Sequence, residues 1–90
     1  MAITELTPKE AEALLKDRDD VVLLDVRTPA EYALASIAQA KLIPMNEITA
    51  RVDELDPERP MIVMCHHGMR SLQVALFLQN QDFNDVSNLA

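Results

Sequence analysis

Two uninterrupted apolar runs, Val21-Val22-Leu23-Leu24 and Met61-Ile62-Val63-Met64, set the terms for any fold this chain can adopt. Neither alternates polar with apolar residues. Each therefore predicts a strand covered on both faces, and such a strand needs helices above and below its sheet. Two helix starts are written plainly. Thr7-Pro8-Lys9-Glu10 and Thr28-Pro29-Ala30-Glu31 repeat one pattern: a threonine cap, a proline at the first helical position, and a glutamate reaching back to the cap amide. They predict helices to about Lys16 and to about Ala33.

The remaining elements follow from period and punctuation. Lys41-Leu42-Ile43 precedes Pro44, and a residue before proline is biased toward extended geometry, so this is read as a third strand. Asn46 is placed as the cap of a helix carrying Ile48, Val52 and Leu55 on one face, stopped by Asp56-Pro57 and Pro60. Arg70 to Gln81, with Leu72, Ala75, Leu76 and Leu78, reads as a helix, and Val86 to Leu89 as a last strand. Strands alternating with helices predict an α/β domain built on a central, mainly parallel sheet of about four to five short strands flanked by helices. At 90 residues the chain suits a single domain, 1–90, with one core.

Composition removes several function classes. The net charge of −7, with 15 acidic against 8 basic residues, and the lack of a basic cluster or aromatic platform argue against nucleic acid or anionic lipid as partner. The longest apolar runs fall far short of a membrane span. The start, Met1-Ala2-Ile3-Thr4-Glu5, has no basic and apolar signal pattern, which gives a cytoplasmic expectation. A single cysteine excludes an internal disulfide and agrees with a reducing compartment.

That cysteine opens the segment Cys65-His66-His67-Gly68-Met69-Arg70-Ser71, which also holds the only glycine. Average usage would give a chain of this length about six glycines, so the one present points to a local backbone need, a tight loop between strand and helix. Amides in such a loop can converge into an anion-binding nest, reinforced by the positive end of the following helix. A thiol held there ionises readily, and the thiolate is the nucleophile. The reading also puts Asp25 and Cys65 at the carboxyl ends of their strands, where open α/β sheets bind ligands. A buried structural cysteine is the plainer alternative, disfavoured by these flanks.

Read together, these residues resemble the rhodanese family of sulfurtransferases over most of the chain. Val22-Leu23-Leu24-Asp25-Val26-Arg27 followed by Glu31-Tyr32 is similar to the family's strand ending in Asp-Val-Arg. Ile43-Pro44 is similar to the stretch before its middle helix, and Cys65 to Ser71 to its active-site loop. Four residues separate Cys65 from Arg70. That spacing resembles the sulfur-transferring loop; phosphatases on the same fold carry one residue more. The loop also lacks a carboxylate able to protonate a leaving alkoxide.

The resemblance implies transfer of sulfane sulfur from thiosulfate or a persulfide donor, through a Cys65 persulfide, to a thiophilic acceptor such as cyanide, a small thiol or a protein thiol. Cys65 is the expected nucleophile, and His66, His67, Gly68, Met69, Arg70 and Ser71 the anion-binding loop, with Arg70 adding positive charge. Ser71 either caps the following helix or bonds the cysteine sulfur, and Met69 is placed at the pocket rim. Asp25, Arg27 and Glu31 are secondary candidates; the preferred reading makes them structural, with Arg27 paired to Glu31 or to Asp25. No cofactor is implied. Cys65, His66 and His67, adjacent on one tight loop, would need further ligands to hold a metal, and the chain has no other Cys or His. The competing functions are a noncatalytic binding module of the same fold and, disfavoured by the loop length, a small phosphatase or arsenate reductase.

Several positions depart from the family pattern. Ala35-Ser36-Ile37-Ala38-Gln39-Ala40 stands in place of a Gly-His-Ile-Pro-Gly-Ala stretch, which predicts a less constrained turn. Asp82 stands where a glycine usually ends the active-site helix, which predicts strain on the order of 1 kcal/mol if it is left-handed. After Asn88-Leu89-Ala90 family members continue with paired glycines, a tryptophan and a closing helix, so the resemblance implies a domain lacking that helix.

Overall fold

The computed structural model describes residues 3–37 and 39–89. Its strands β1 (Thr4–Leu6), β2 (Val22–Asp25), β3 (Lys41–Leu42), β4 (Met61–Met64) and β5 (Val86–Leu89) form one sheet in the order β1-β5-β4-β2-β3. Every pairing is parallel, which makes this an α/β domain of the expected kind. The register sets Asp25 beside Met64 and Val63 beside Asn88. The ends of β2, β4 and β5 thus share one carboxyl edge.

Both capping boxes are formed. The Thr7 amide donates to Glu10 Oε1 at 2.8 Å and the Glu10 amide to Thr7 Oγ1 at 3.2 Å, opening α1 (Pro8–Asp17). Thr28 and Glu31 repeat this at 3.0 and 3.2 Å to open α2 (Pro29–Leu34). Each box satisfies two amides that the first helical turn leaves unpaired.

Strand alternation divides the core in two. Leu23, Ile62 and Met64 pack with Leu6 and with Ala11 of α1 on one face. Leu24, Met61, Val63 and Val86 pack on the other with Ile48, Leu55, Val74, Ala75, Leu78 and Cys65. The sulfur belongs to this second, larger cluster, the one beneath α4 (Met69–Asn80).

Three expectations need correction. β1 was not foreseen; it is three residues long and mostly exposed, so it carries no apolar run. The middle helix is not continuous: a 3₁₀ turn (Met45–Glu47), a single α-helical turn α3 (Ile48–Arg51) and a second 3₁₀ turn (Val52–Glu54) replace it. Asn46 lies inside the first turn and caps nothing through its side chain, because the chain begins to coil directly after Pro44. Ile48 and Leu55 are nevertheless buried as their spacing required.

The end of α4 matches the concern about Asp82. Its φ is 67°, in the left-handed region. The Asp82 amide donates to Gln79 O at 3.2 Å and the Phe83 amide to Leu78 O at 3.2 Å. This is the paired hydrogen bonding of a Schellman stop, with buried Phe83 and Leu78 in the same cluster. The position favours glycine, and here an aspartate occupies it.

Candidate active site

β4 ends at Met64, and the chain turns through Cys65 to Gly68 before α4 begins. Gly68 makes the turn possible: its φ of 82° and ψ of −9° are left-handed, and it occupies the cap position of α4 without a capping side chain. The result wraps donors around sulfur. The Gly68 amide donates to Cys65 Sγ at 3.0 Å and the Ser71 amide at 3.3 Å. Ser71 Oγ lies 3.3 Å from Sγ and accepts from the neutral thiol; when the thiol ionises, the hydroxyl can rotate and donate instead. Of the two roles open to Ser71, contact with the sulfur is the one its side chain takes.

Burial pushes the Cys65 thiol up. The Ser71 hydroxyl and the amides of Ser71, His67 and Gly68 outweigh this and bring it below its ordinary value. These donors favour the charged form selectively, which is how a nest activates a cysteine without a base beside it.

Arg70 differs from expectation in one respect. Its Nη1 and Nη2 donate to Glu31 Oε1 and Oε2 at 2.8 and 3.0 Å, so its positive charge is largely balanced. Glu31 links the capping box of α2 to the loop, and its carboxyl is held down to about 2, first by Arg70 and next by the Thr28 amide. The field on sulfur therefore comes chiefly from backbone amides, with the Arg70–Glu31 pair as a wall.

Arg27 pairs with Asp25 rather than with Glu31. Its Nη2 is 2.7 Å from Asp25 Oδ2, its Nε donates to the same carboxylate at 3.0 Å, and its own amide adds a bond of 3.0 Å to Oδ1. Both residues are buried. Arg27 Nη2 also donates to Ala35 O at 2.7 Å, and the Ala40 amide donates to Ile37 O at 2.9 Å. The turn expected to be loose is tied at both ends by these bonds; Ala38 within it lies outside the described residues.

His66 and His67 are exposed and pack edge to face with ring centroids 4.3 Å apart. Met69 is the first residue of α4 and is 69% exposed. Among the described residues, no group of three or more His, Cys, Asp and Glu side chains is arranged to hold a metal ion, and no helix is long and apolar enough to cross a membrane. A mainly apolar groove of about 460 Å³ runs beside Arg70, lined by Val26, Arg27, Pro44 and Met45 among others.

Sequence reasoning missed Asn88 and Glu5. Asn88 is buried in β5, and its Nδ2 donates to Gly68 O at 3.2 Å and to the Glu5 carboxylate at 3.1 and 3.3 Å. The available signal was a lone amide between Val86 and Leu89 in an otherwise buried strand.

A thiol in an amide cradle, at the carboxyl edge of a parallel sheet, marks an α/β protein with its cysteine held where such sheets bind ligands. The family model for the rhodanese-like domain matches residues 7–90. The chain is 36% identical over 87 residues to a sulfurtransferase of Allochromatium vinosum, covering 97% of this chain and 81% of that protein. It is 35% identical over 89 residues to the thiosulfate sulfurtransferase GlpE of Coxiella burnetii, covering 99% and 82%. Among solved structures, a rhodanese-like domain protein from Staphylococcus aureus superposes with a TM-score of 0.89 at 30% identity, covering 97% of this chain and 84% of the other. The chain belongs to the rhodanese-like domain family, in the company of its sulfurtransferases.

Proposed function

We propose that this protein transfers sulfane sulfur through a persulfide on Cys65, with thiosulfate or a persulfide as donor. The carrying observation is the set of groups around one sulfur: two amides donating at 3.0 and 3.3 Å, and the Ser71 hydroxyl at 3.3 Å, which can turn to donate once the thiol ionises. In the first step the Cys65 thiolate attacks the outer sulfur of thiosulfate. A new S–S bond forms, the old one breaks with its electron pair going to sulfite, and Cys65 carries a terminal anionic sulfur. In the second step an acceptor nucleophile attacks that terminal sulfur and returns the electron pair to Cys65 as thiolate. Cyanide becomes thiocyanate; a small thiol or a protein thiol becomes a persulfide.

Neither step requires a proton to reach a leaving group. A loop that aims N–H donors at the sulfur and carries no carboxylate suits this chemistry, because fixed dipoles stabilise the thiolate, the persulfide anion and the negative charge passing between them. An oxygen leaving group would ask for an acid, and the loop has no carboxylic acid to supply one. The groove beside Arg70 gives an acceptor apolar surface on which to approach the loop.

The test is intact-mass measurement of the reduced protein after thiosulfate, and again after cyanide or a thiol. The expected result is a gain of one sulfur, lost on adding acceptor and absent in Cys65→Ala. A wild-type protein that gains no sulfur from thiosulfate or from a small persulfide ends this reading.

A further inference from the structure

We infer that Asn88 is a positioning residue for Cys65: it fixes the carbonyl of Gly68 and thereby aims the Gly68 amide, the closest donor to the sulfur. The inference rests on Cys65 being the nucleophile and not on the identity of the sulfur donor.

Asn88 Nδ2 faces three oxygens, those of the Glu5 carboxylate and Gly68 O. Turning the amide over would set its oxygen against all three, so the network itself assigns the orientation. One N–H serves Glu5 and the other serves Gly68. The Gly68 carbonyl also accepts the Leu72 amide at 3.2 Å. It is therefore held from two directions, along α4 by Leu72 and across from β5 by Asn88.

Gly68 needs such a hold. It lacks a side chain, caps α4 without a capping hydrogen bond, and sits at φ 82°. Glycine visits many neighbouring conformations, and rotation at its φ and ψ swings the N–H away from sulfur. A donor anchored in a parallel strand limits that rotation. The Glu5 carboxylate accepts from the same nitrogen at 3.1 and 3.3 Å and so fixes the orientation in which the amide faces Gly68 O.

The other end of the side chain points the same way. Asn88 is 1% exposed, and among the described residues its Oδ1 is buried without a hydrogen-bond partner. A buried carbonyl left unpaired weakens a fold. An apolar residue between Val63 of β4 and Glu5 of β1 would avoid this, so the use of the amide lies in what Nδ2 holds.

The charged and titratable groups around the thiol are Arg70 with Glu31, His66 and His67 in the loop, the Asp25–Arg27 pair at the end of β2, and Glu5 beyond Asn88. Asn88→Ala removes none of these charges; of the groups named, Glu5 alone loses a hydrogen-bond partner.

The experiment measures the rate of Cys65 alkylation by iodoacetamide against pH in the wild type, Asn88→Ala and Glu5→Ala, alongside thermal melts and sulfur loading from thiosulfate. In Asn88→Ala the midpoint of the alkylation profile is expected to rise by about half to one pH unit, with thiolate-dependent loading near neutral pH falling about three- to tenfold. Glu5→Ala changes an exposed side chain, and with the amide less firmly oriented it is expected to move the midpoint the same way by a smaller amount. A folded Asn88→Ala with an unchanged midpoint overturns the inference; if that variant does not fold, an unchanged midpoint in Glu5→Ala overturns it. Should the midpoint rise in the variant while even the wild type loads no sulfur, the positioning role stands and the sulfurtransferase reading falls.

Discussion

Glu31 and Arg70 meet in a two-pronged ion pair, 2.8 and 3.0 Å, across 39 residues of sequence. The glutamate that closes the capping box of α2 is also the group that balances the arginine of the Cys65 loop. A donor anion approaching Cys65 therefore meets a neutralised guanidinium. In Glu31→Gln the positive charge is released, and KM for thiosulfate is expected to fall about two- to fivefold, the range of a partly exposed pair. The gain shrinks as salt is added. An unchanged KM at low ionic strength would show that Arg70 lies outside the donor's field.

The same pair has a pH window. Glu31 is lowered from about 4.5 to about 2 by Arg70, and a depressed carboxylate stabilises the folded state fully above its unfolded value. That contribution is lost as pH falls through the folded one. The difference in melting temperature between wild type and Glu31→Gln is expected to be constant above about pH 5 and to narrow from there toward pH 2. A difference that stays constant down to pH 2 would mean that the pair does not hold in solution.

Ser71→Ala removes one donor from the sulfur and keeps the amide. Because the hydroxyl favours the thiolate, the Cys65 midpoint is expected to rise by roughly one pH unit or less. Sulfur loading slows most below neutral pH, where the thiolate fraction is smallest. As an acid with a lowered folded value, Cys65 stabilises the fold above its unfolded value, and this is lost as pH falls through the folded one. The readout is the pH profile of loading in the two proteins; superimposable profiles would remove Ser71 from the charge-stabilising set.

Arg27→Ala strips the guanidinium from buried Asp25, leaving it only the backbone amide of residue 27, and it frees Ala35 O. Breaking a buried pair from one side costs about 3–5 kcal/mol. The expected outcome in urea is a sharply lower midpoint with an unchanged slope. An effect below about 1 kcal/mol would show that water readily replaces the arginine.

Asp82→Gly is predicted to stabilise. Relief of left-handed strain offers roughly 1 kcal/mol, less what glycine's extra freedom in the unfolded chain takes back. A rise of a few degrees in melting temperature is expected, since about 1 kcal/mol corresponds to roughly 4–8 °C in a domain of this size. A lower melting point would mean that the aspartate side chain stabilises the helix end by more than the strain costs.

What could be read from sequence was local. β2 and β4 announced themselves as unbroken apolar runs, α1 and α2 through their boxes, and Asp82 as an aspartate in a glycine's place. The Cys65 loop was legible because its six residues, Cys65 to Arg70, are contiguous. What stayed hidden joins distant segments. Glu5 lies 83 residues from Asn88, and nothing near either residue signals the other. β1 is strand-like only because β5 lies beside it. The middle helix broke into three turns because the chain coils at once after Pro44, a packing outcome that the spacing of Ile48, Val52 and Leu55 does not encode.

The sheet order carries a consequence for how the molecule comes into being. β1 has one neighbour, β5, and Thr4 to Leu6 pair with Ser87 to Leu89. Of these five strands, the first to be made therefore has no partner in the sheet until the fifth has been made. Closing so long a loop is slow relative to local helix formation. The bond from Glu5 to Asn88 needs that closure, so this outer support of the Cys65 loop depends on the pairing of the two strands furthest apart in sequence.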